Sequence, residues 1–314
     1  MSQKGRDMGD IHQLLLELGR EGALKSSPMD RRAVEAAAGY LSTEEGDPGF
    51  VYSGWAQTAL PHKRQPDDAL WHVRNGRISL IIEPGAKSVP DGSAVRIGVP
   101  FGSRARLILI YLQSEALRTG SREVELGRSL RVWLGRLGIP IGGKSMAEVR
   151  DQAERISRCH MTFEVTNGKK ISVTSDRLVT SALLREGDDG GRLVERVFLS
   201  QPFFDQLRRY PVQIDEAAVR QLANNSFALD VYCWLAYRLH ALPNPTEVSW
   251  QALHTQFGSA YGRLRDFRTR FIPTLTLATA VYPEAKVEVN DNKGVILHPS
   301  PAPAPTAGRP RRLG

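Results

Sequence analysis

One pattern occurs twice along this chain of 314 residues. It consists of a helical stretch, a short β-like link, a second helix closed by glycine, a third helix, and an alternating segment that turns back on itself. In the first copy, "SRARLILIYLQSEALRTG" (103–120) carries apolar residues at Leu107, Ile110, Tyr111 and Leu117 and then a glycine stop. "REVELG" is the link, and "RSLRVWLGRLG" (128–138) is the second helix. "KSMAEVRDQAERISR" (144–158) is the third, with Met146, Val149, Ala153 and Ile156 at helical spacing. "CHMTFEVTNGKKISVTS" then alternates around Asn167-Gly168, a hairpin signal. The second copy runs through "ALDVYCWLAYRLHAL" (228–242), "TEVSWQALHTQFG" (246–258) and "SAYGRLRDFRTRFIPTLTLATAVYP" (259–283), and closes with "AKVEVNDNKGVILHP". Leu264, Phe267 and Phe271 form one stripe of its third helix, and Pro273 kinks that helix or ends its first part. Glu123-Val124 recurs as Glu247-Val248, and the stretch from Phe163 to Lys169 recurs from Val287 to Lys293 at the same offset.

Duplication on this scale indicates a repeated domain rather than a solenoid. The order of elements predicts an α+β fold of tandem winged-helix (helix-turn-helix) domains. A duplicated α+β unit with no nucleic-acid role is the alternative. The expected organisation is a partly disordered N-terminal extension (1–49), a first winged-helix domain (50–185) and a charged, glycine-rich linker (186–192). A second winged-helix domain (193–300), the DNA-binding one, and a disordered basic tail (301–314) follow. Within the first domain, "LWHVRNGRISLIIEPG" alternates around Asn75-Gly76 and predicts a type I′ hairpin.

The chain has 42 Lys and Arg against 34 Asp and Glu, a formal charge of +8, and a pI near 9.6. That excess suits a polyanionic partner, and equally suits an enzyme of small anions or a basic soluble protein. Cys159 and Cys233 are too few for a disulfide framework and lack zinc-site spacing, so a reduced cytoplasmic setting is expected. The longest apolar runs, "LILIYL" and "ISLII", are too short to span a membrane, and no export signal is evident.

Residues 138–145, "GIPIGGKS", match the phosphate-loop consensus G-x-x-x-x-G-K-[ST]. A working phosphate loop needs a strand feeding it. Here the preceding Leu130, Trp133, Leu134 and Leu137 follow helical spacing, and Pro140 with branched Ile139 and Ile141 crowds the loop. Within the repeat, the segment falls at the turn between the second and third helices, where "GSAYGR" (258–263) falls in the second copy. A P-loop NTPase remains the remote alternative. No cofactor or metal is expected.

The third helices are the expected reading heads. In the first copy the candidates are Lys144, Ser145, Arg150, Arg155 and Arg158, and in the second they are Tyr261, Arg263, Arg265, Thr269 and Arg270. Arginine reads guanine bidentately in the major groove, and Lys or Ser at a helix start can hold backbone phosphate. Lys169, Lys170, Lys286 and Lys293 on the wings are placed to straddle neighbouring phosphates. Arg268 lies at the apolar edge and is expected only to snorkel. No H-x-H pair, G-x-S-x-G or H-E-x-x-H motif offers a catalytic alternative, so a non-enzymatic protein is expected. Trp234, Tyr232 and Tyr237 fit a helical core better than a base-stacking platform.

Three segments carry a family resemblance: "GFVYSGWAQTALPHKRQPDD", "GVPFGSRARLILIYLQSEALRTGSREVELGRSL", and "FALDVYCWLAYRLHAL" continued by "VSWQALHTQFGSAYGRLRDFRTRF". Over roughly residues 50–300 the chain resembles plasmid-encoded RepA-type replication initiators. The resemblance implies a bacterial protein that binds tandem repeats in double-stranded DNA at a plasmid origin and helps open the duplex. It also implies recruitment of the host initiator and replicative helicase machinery, and repression of its own gene. Similar two-domain initiators are often dimeric as repressors and monomeric as initiators, so a homodimer is among the expected partners. A winged-helix repressor without initiator activity is the alternative.

Overall fold

The computed structural model describes residues 6–7, 10–26, 30–43, 46–126, 128–140, 142–167, 170–186 and 192–303. The chain first forms β1 (Arg6–Asp7), α1 (Asp10–Ser26), α2 (Arg31–Leu41), β2 (Pro48–Tyr52) and α3 (Ser53–Gln57). Two hairpins follow, β3 (Trp71–Asn75) with β4 (Ile78–Glu83) and β5 (Ala86–Ser88) with β6 (Ala94–Arg96). Next come α4 (Gly102–Thr119), β7 (Glu123–Glu125), α5 (Arg128–Arg136), α6 (Gly143–Arg158), β8 (His160–Asn167) and β9 (Lys170–Asp176). After β10 (Val179–Glu186), β11 (Arg192–Leu199) and α7 (Gln201–Arg209) the chain continues into β12 (Pro211–Asp215), α8 (Glu216–Leu222) and α9 (Ser226–Leu239). It ends in β13 (Thr246–Ser249), α10 (Trp250–Phe257), α11 (Leu264–Ala280), β14 (Val287–Asn290) and β15 (Gly294–Leu297). The fold is mixed α and β, in keeping with the α+β class expected.

These elements form two compact units, a central one of Phe50–Pro211 and a terminal one built from Met1–Gly49 with Val212–Gly314. In the central unit, α4 is buried without interruption from Ala105 to Gln113, because "LILIYL" leaves it no polar face there. It stops at Gly120, whose φ of 66° is the left-handed cap glycine favours. The link strand β7 pairs antiparallel with β11, Val124 opposite Val197, and β11 pairs with β10.

This pairing changes the expected first domain. The hairpin β8–β9, expected to be its wing, joins β3 and β4 in a separate sheet of order β3-β4-β8-β9, with Phe163 opposite Leu80. The stretch 186–192, expected to be an inter-domain linker, is bracketed by the pairing of Glu186 with Arg192, so its ends belong to one hairpin. Residues 187–191 themselves lie outside the described residues. The units divide at 49/50 and 211/212, not within 185–193. Alternation marks a hairpin, but the distant strand that it pairs with is a tertiary choice.

At the first hairpin, Asn75 is the last paired residue, opposite Ile78. Among the described residues only glycines have positive φ, and Gly76 stands at 55°. A positive φ at the first central residue alone is the type II′ requirement, so the expected type I′ turn is replaced by its II′ relative.

In the terminal unit, β13 pairs with β15, Val248 opposite Val295, in a sheet of order β1-β14-β15-β13. Both units therefore share one connectivity: helix, strand, helix, helix, hairpin, with the hairpin's last strand pairing back to the first strand. The first copy differs by having β8–β9 interpolated before its closing hairpin. Gly294 enables the pairing. A Cβ there would meet the Val248 carbonyl oxygen at 2.0 Å, and its φ is +150°.

The N-terminal residues, expected to be an extension, supply core. Ile11, Leu15, Ala23, Ala33, Val34, Ala37 and Ala38 cluster with Ala280 of α11, and His12 Nε2 lies 2.8 Å from the Ala280 carbonyl oxygen. The alanines give α2 a thin face that lets helices approach closely. A Cβ at Gly39 would meet Gln221 of α8 at 2.5 Å. Of the expected basic tail, residues 301–303 are described, and the Pro303 carbonyl accepts from Gln213 Nε2 at 3.1 Å. Residues 304–314 lie outside the described residues.

Candidate nucleic-acid interface

The third helix of the terminal unit, α11, owes its position to aromatics. Phe267 and Phe271 are fully buried, their ring centroids 5.1 Å apart. Phe271 also meets Phe257 and Trp250 of α10 at 5.7 and 6.2 Å. Replacing either phenylalanine by alanine would cost about 3–5 kcal/mol. With that stripe inward, Arg265, Asp266, Thr269 and Arg270 face outward and are exposed, and Arg263 is exposed at the N-cap. The Arg263 side chain makes no capping bond. The opening amides of α11 therefore depend on backbone or solvent partners, and the helix start carries a partial positive charge beside Arg263 and Arg265.

The turn before α11 is held from within. The Tyr261 amide donates to the Gly258 carbonyl at 2.8 Å, and His254 Nε2 lies 2.9 Å from the Tyr261 carbonyl oxygen. The Tyr261 ring packs edge-on against Phe267 at 5.9 Å. Tyr261 is thus half-buried and shapes the turn, while the arginines after it carry the exposed charge. Pro273 lies inside α11, which continues past it to Ala280.

Lys286 and Lys293, both exposed, flank the two ends of β14. Lys293 sits in the turn of the β14–β15 hairpin, where its Nζ stands 3.8 Å from a Glu247 carboxylate oxygen and 65% of its side chain remains exposed. Arg268, expected to snorkel, places its guanidinium over the Trp250 ring, 4.8 Å from the centroid, and donates to the Asp291 carbonyl.

The first copy is different. Lys144 is exposed at the start of α6, behind an N-cap glycine that supplies no side-chain bond. Ser145 is half-buried, and Arg150 is half-buried beside a cavity of about 630 Å³ lined also by Leu130, Met146 and Val149. Arg155 is a core residue at 3% exposure, its Nε 2.9 Å from Asp151 and its Nη1 3.7 Å from Asp67, with its guanidinium over the Phe101 ring. Arg158 pairs with Glu154 at 3.3 Å and donates to the Ala86 carbonyl at 3.1 Å. Arg155 and Arg158 therefore bind their own fold, against the expectation that they face a ligand. What α6 exposes includes Glu148 and Asp151, a face poorer in positive charge than that of α11. Lys169 lies outside the described residues. Lys170 is in β9 opposite Asn167, and its side chain lies outside them.

The segment entering "GIPIGGKS" is helix α5, and the Gly138 amide returns to the Gly135 carbonyl at 2.9 Å, with a φ of 74° at Gly138. That is a helix ending in a turn, without the strand that a phosphate loop requires. Trp234 and Tyr232 are buried in α9 as core, and Tyr237 is half-buried there. The sequence pattern does not mark Trp250, His254 or Glu247 as neighbours of the α11 face, nor Arg106 as a buried residue. The buried guanidinium of Arg106 donates to the carbonyls of Leu60, Pro61 and Gly102 at 2.7, 3.3 and 2.9 Å.

The two units thus share one connectivity, and the terminal one presents a basic exposed helix face next to a lysine-bearing hairpin tip. Residues 99–251 match the family described as plasmid encoded RepA protein, so the resemblance drawn from the sequence holds over that stretch. Among solved structures, the chain is similar to a selenomethionine form of domains 2 and 3 of RctB, at 12% identity and a TM-score of 0.49, over 79% of this chain and 98% of that one. A second structure of RctB domains 2–3 aligns at 13% identity and a TM-score of 0.42, over 77% and 93%. No curated protein matches the sequence. Among the described residues, no helix is long and apolar enough to cross a membrane.

Proposed function

We propose that this chain is a non-enzymatic replication initiator that binds repeated double-stranded DNA at a plasmid origin through two winged-helix units. The α11 helix is its principal reader. The observation that carries this reading is the outer face of α11, where Arg263, Arg265, Thr269 and Arg270 stand exposed between a glycine turn and a hairpin tip bearing Lys293. A helix of this kind fits the major groove, where an arginine fork reads guanine, while lysines and helix-start amides take phosphates. Lys144 at the start of α6 extends the phosphate contacts, and Ser145 and Arg150 adjoin it. Opening of the duplex, recruitment of host initiator and helicase proteins, and repression of its own gene complete the role that the family match supports.

Binding to the repeats near its own gene, titrated against salt, tests the reading. With about six phosphate contacts the log–log slope lies near −5. Arg265→Ala and Arg270→Ala should each lower the preference for the repeats over scrambled DNA, and parent-like selectivity in both would remove α11 as the reader. A plasmid carrying only this gene and its upstream repeats should replicate in a permissive host, whereas a repressor without initiator activity would leave it unreplicated. ATP titration against the parent and Lys144→Ala should show no saturable, lysine-dependent binding.

A further inference from the structure

Three elements of the terminal unit meet at the tip of the β14–β15 hairpin. The Trp250 indole N–H points between the carbonyls of Asn290 and Asp291, at 3.2 and 3.1 Å. The backbone N–H of Trp250 donates to the Lys293 carbonyl at 3.1 Å. Arg268 of α11 places its guanidinium over the same indole, 4.8 Å from the ring centroid, and donates to the Asp291 carbonyl. Inside the turn, Asn290 Oδ1 accepts from the amides of Asn292 and Lys293, both at 3.1 Å. The inward-facing groups of the turn are thus committed to Trp250, Arg268 and Asn290, and the Lys293 side chain is left outside.

We infer that Arg268 is a positioning residue that fixes the hairpin tip to the reader helix, so that Lys293 and the Arg265–Arg270 face meet one stretch of DNA in a set register. The inference rests on the DNA-binding reading. Arg268 lies between Arg265 and Arg270 in the same helix, so the element that carries the reading face also grips the turn that carries the lysine. A rigid link of this kind lowers the cost of ordering the tip on binding. Arginine suits the position because its rigid guanidinium fork can cover the ring and still hold an N–H on the carbonyl, whereas a lysine ammonium is a compact point charge on a flexible stem.

The test uses the full chain and a duplex carrying the repeats upstream of its gene, with affinity measured against salt for the parent, Lys293→Ala, Arg268→Lys, Arg268→Met and the double variant Arg268→Met/Lys293→Ala. Lys293→Ala should lower the salt slope by about 0.9 and weaken binding roughly fivefold near physiological salt. Arg268→Met and Arg268→Lys should each reproduce that loss, although the lysine variant keeps the charge, and the double variant should be no worse than Lys293→Ala. Hydrogen exchange of the 291–293 amides should quicken in both Arg268 variants. Parent-like binding by Arg268→Lys, or additive losses in the double variant, would overturn the inference. Arg268→Met keeps the side-chain stem over Trp250, and if it unfolds on heating before the assay temperature, Arg268→Lys decides alone. A parent chain without salt-dependent binding would sink the DNA-binding reading, and this inference with it.

Discussion

The Tyr40 hydroxyl donates to Oδ2 of Asp215 at 3.0 Å, joining α2 to the start of α8 across 175 residues of chain. Asp215 is fully buried, caps α8 through the Ala217 amide at 2.8 Å, and donates its own amide to the Tyr232 hydroxyl at 2.9 Å. The N-terminal helices are thereby bound into the terminal unit by a polar bond as well as by the alanine face of α2. Tyr40→Phe leaves a buried carboxylate one donor short and should cost about 1–3 kcal/mol in urea unfolding, with m unchanged. A loss near zero would mean that the contact is dispensable.

Arginines of equal sequence appeal should part in experiment. Arg155→Ala removes a buried guanidinium from Asp151, Asp67 and the Phe101 ring. It should destabilise the central unit by about 2–3 kcal/mol, less than a fully buried pair because both carboxylates are partly exposed. Arg265→Ala and Arg270→Ala should leave the melting temperature within a degree or two, since exposed positions contribute about 0.5 kcal/mol or less. Calorimetry alongside DNA titration checks both directions.

Alkaline pH should destabilise the protein. Burial pushes the Cys159 thiol up to about 12, from an ordinary value near 9. Burial likewise raises the hydroxyls of Tyr232, Tyr111 and Tyr282. Above pH 9 the unfolded chain sheds protons that the folded chain keeps. The unfolded state then binds fewer protons, so stability falls as pH rises, and these groups contribute no such slope below pH 9. Melting temperatures recorded from pH 7 to pH 10.5 should stay level and then decline. In the same samples a thiol reagent should modify Cys159 only as the protein unfolds, because the buried thiol is not available as thiolate.

Gly294→Ala should disrupt the terminal unit. Its Cβ would stand 2.0 Å from the Val248 oxygen and 2.8 Å from the Ser249 Cα, both backbone atoms that cannot swing aside. A loss of about 3 kcal/mol or more is expected, against well under 1 kcal/mol for Gly262→Ala, whose Cβ would meet open space. Denaturant unfolding of the two variants makes the comparison.

Much of this was readable from residue order. The helices with glycine stops and the link strands at Glu123–Glu125 and Glu247–Val248 lie where period and cap residues place them, because those signals are local. The partner of the first link strand was not readable: β8–β9 and β10–β11 both alternate, and only packing selects β11. The N-terminal helices escaped notice because alanine faces such as that of α2 carry little hydrophobic contrast. The exposed arginines of α11 follow from its phenylalanine stripe, whereas Arg155 and Arg106 look the same in sequence. Their burial depends on remote groups, Asp67 and the carbonyls of Leu60 and Pro61.

His12 reaches the carbonyl of Ala280, 268 positions later. During synthesis at about 5–20 residues per second, the first helices must wait on the order of half a minute before the helix that they pack against exists. Helix α11, with its exposed arginine face, is that same late element. A chain released before α11 is made therefore lacks both a finished terminal unit and the exposed arginine face of that helix.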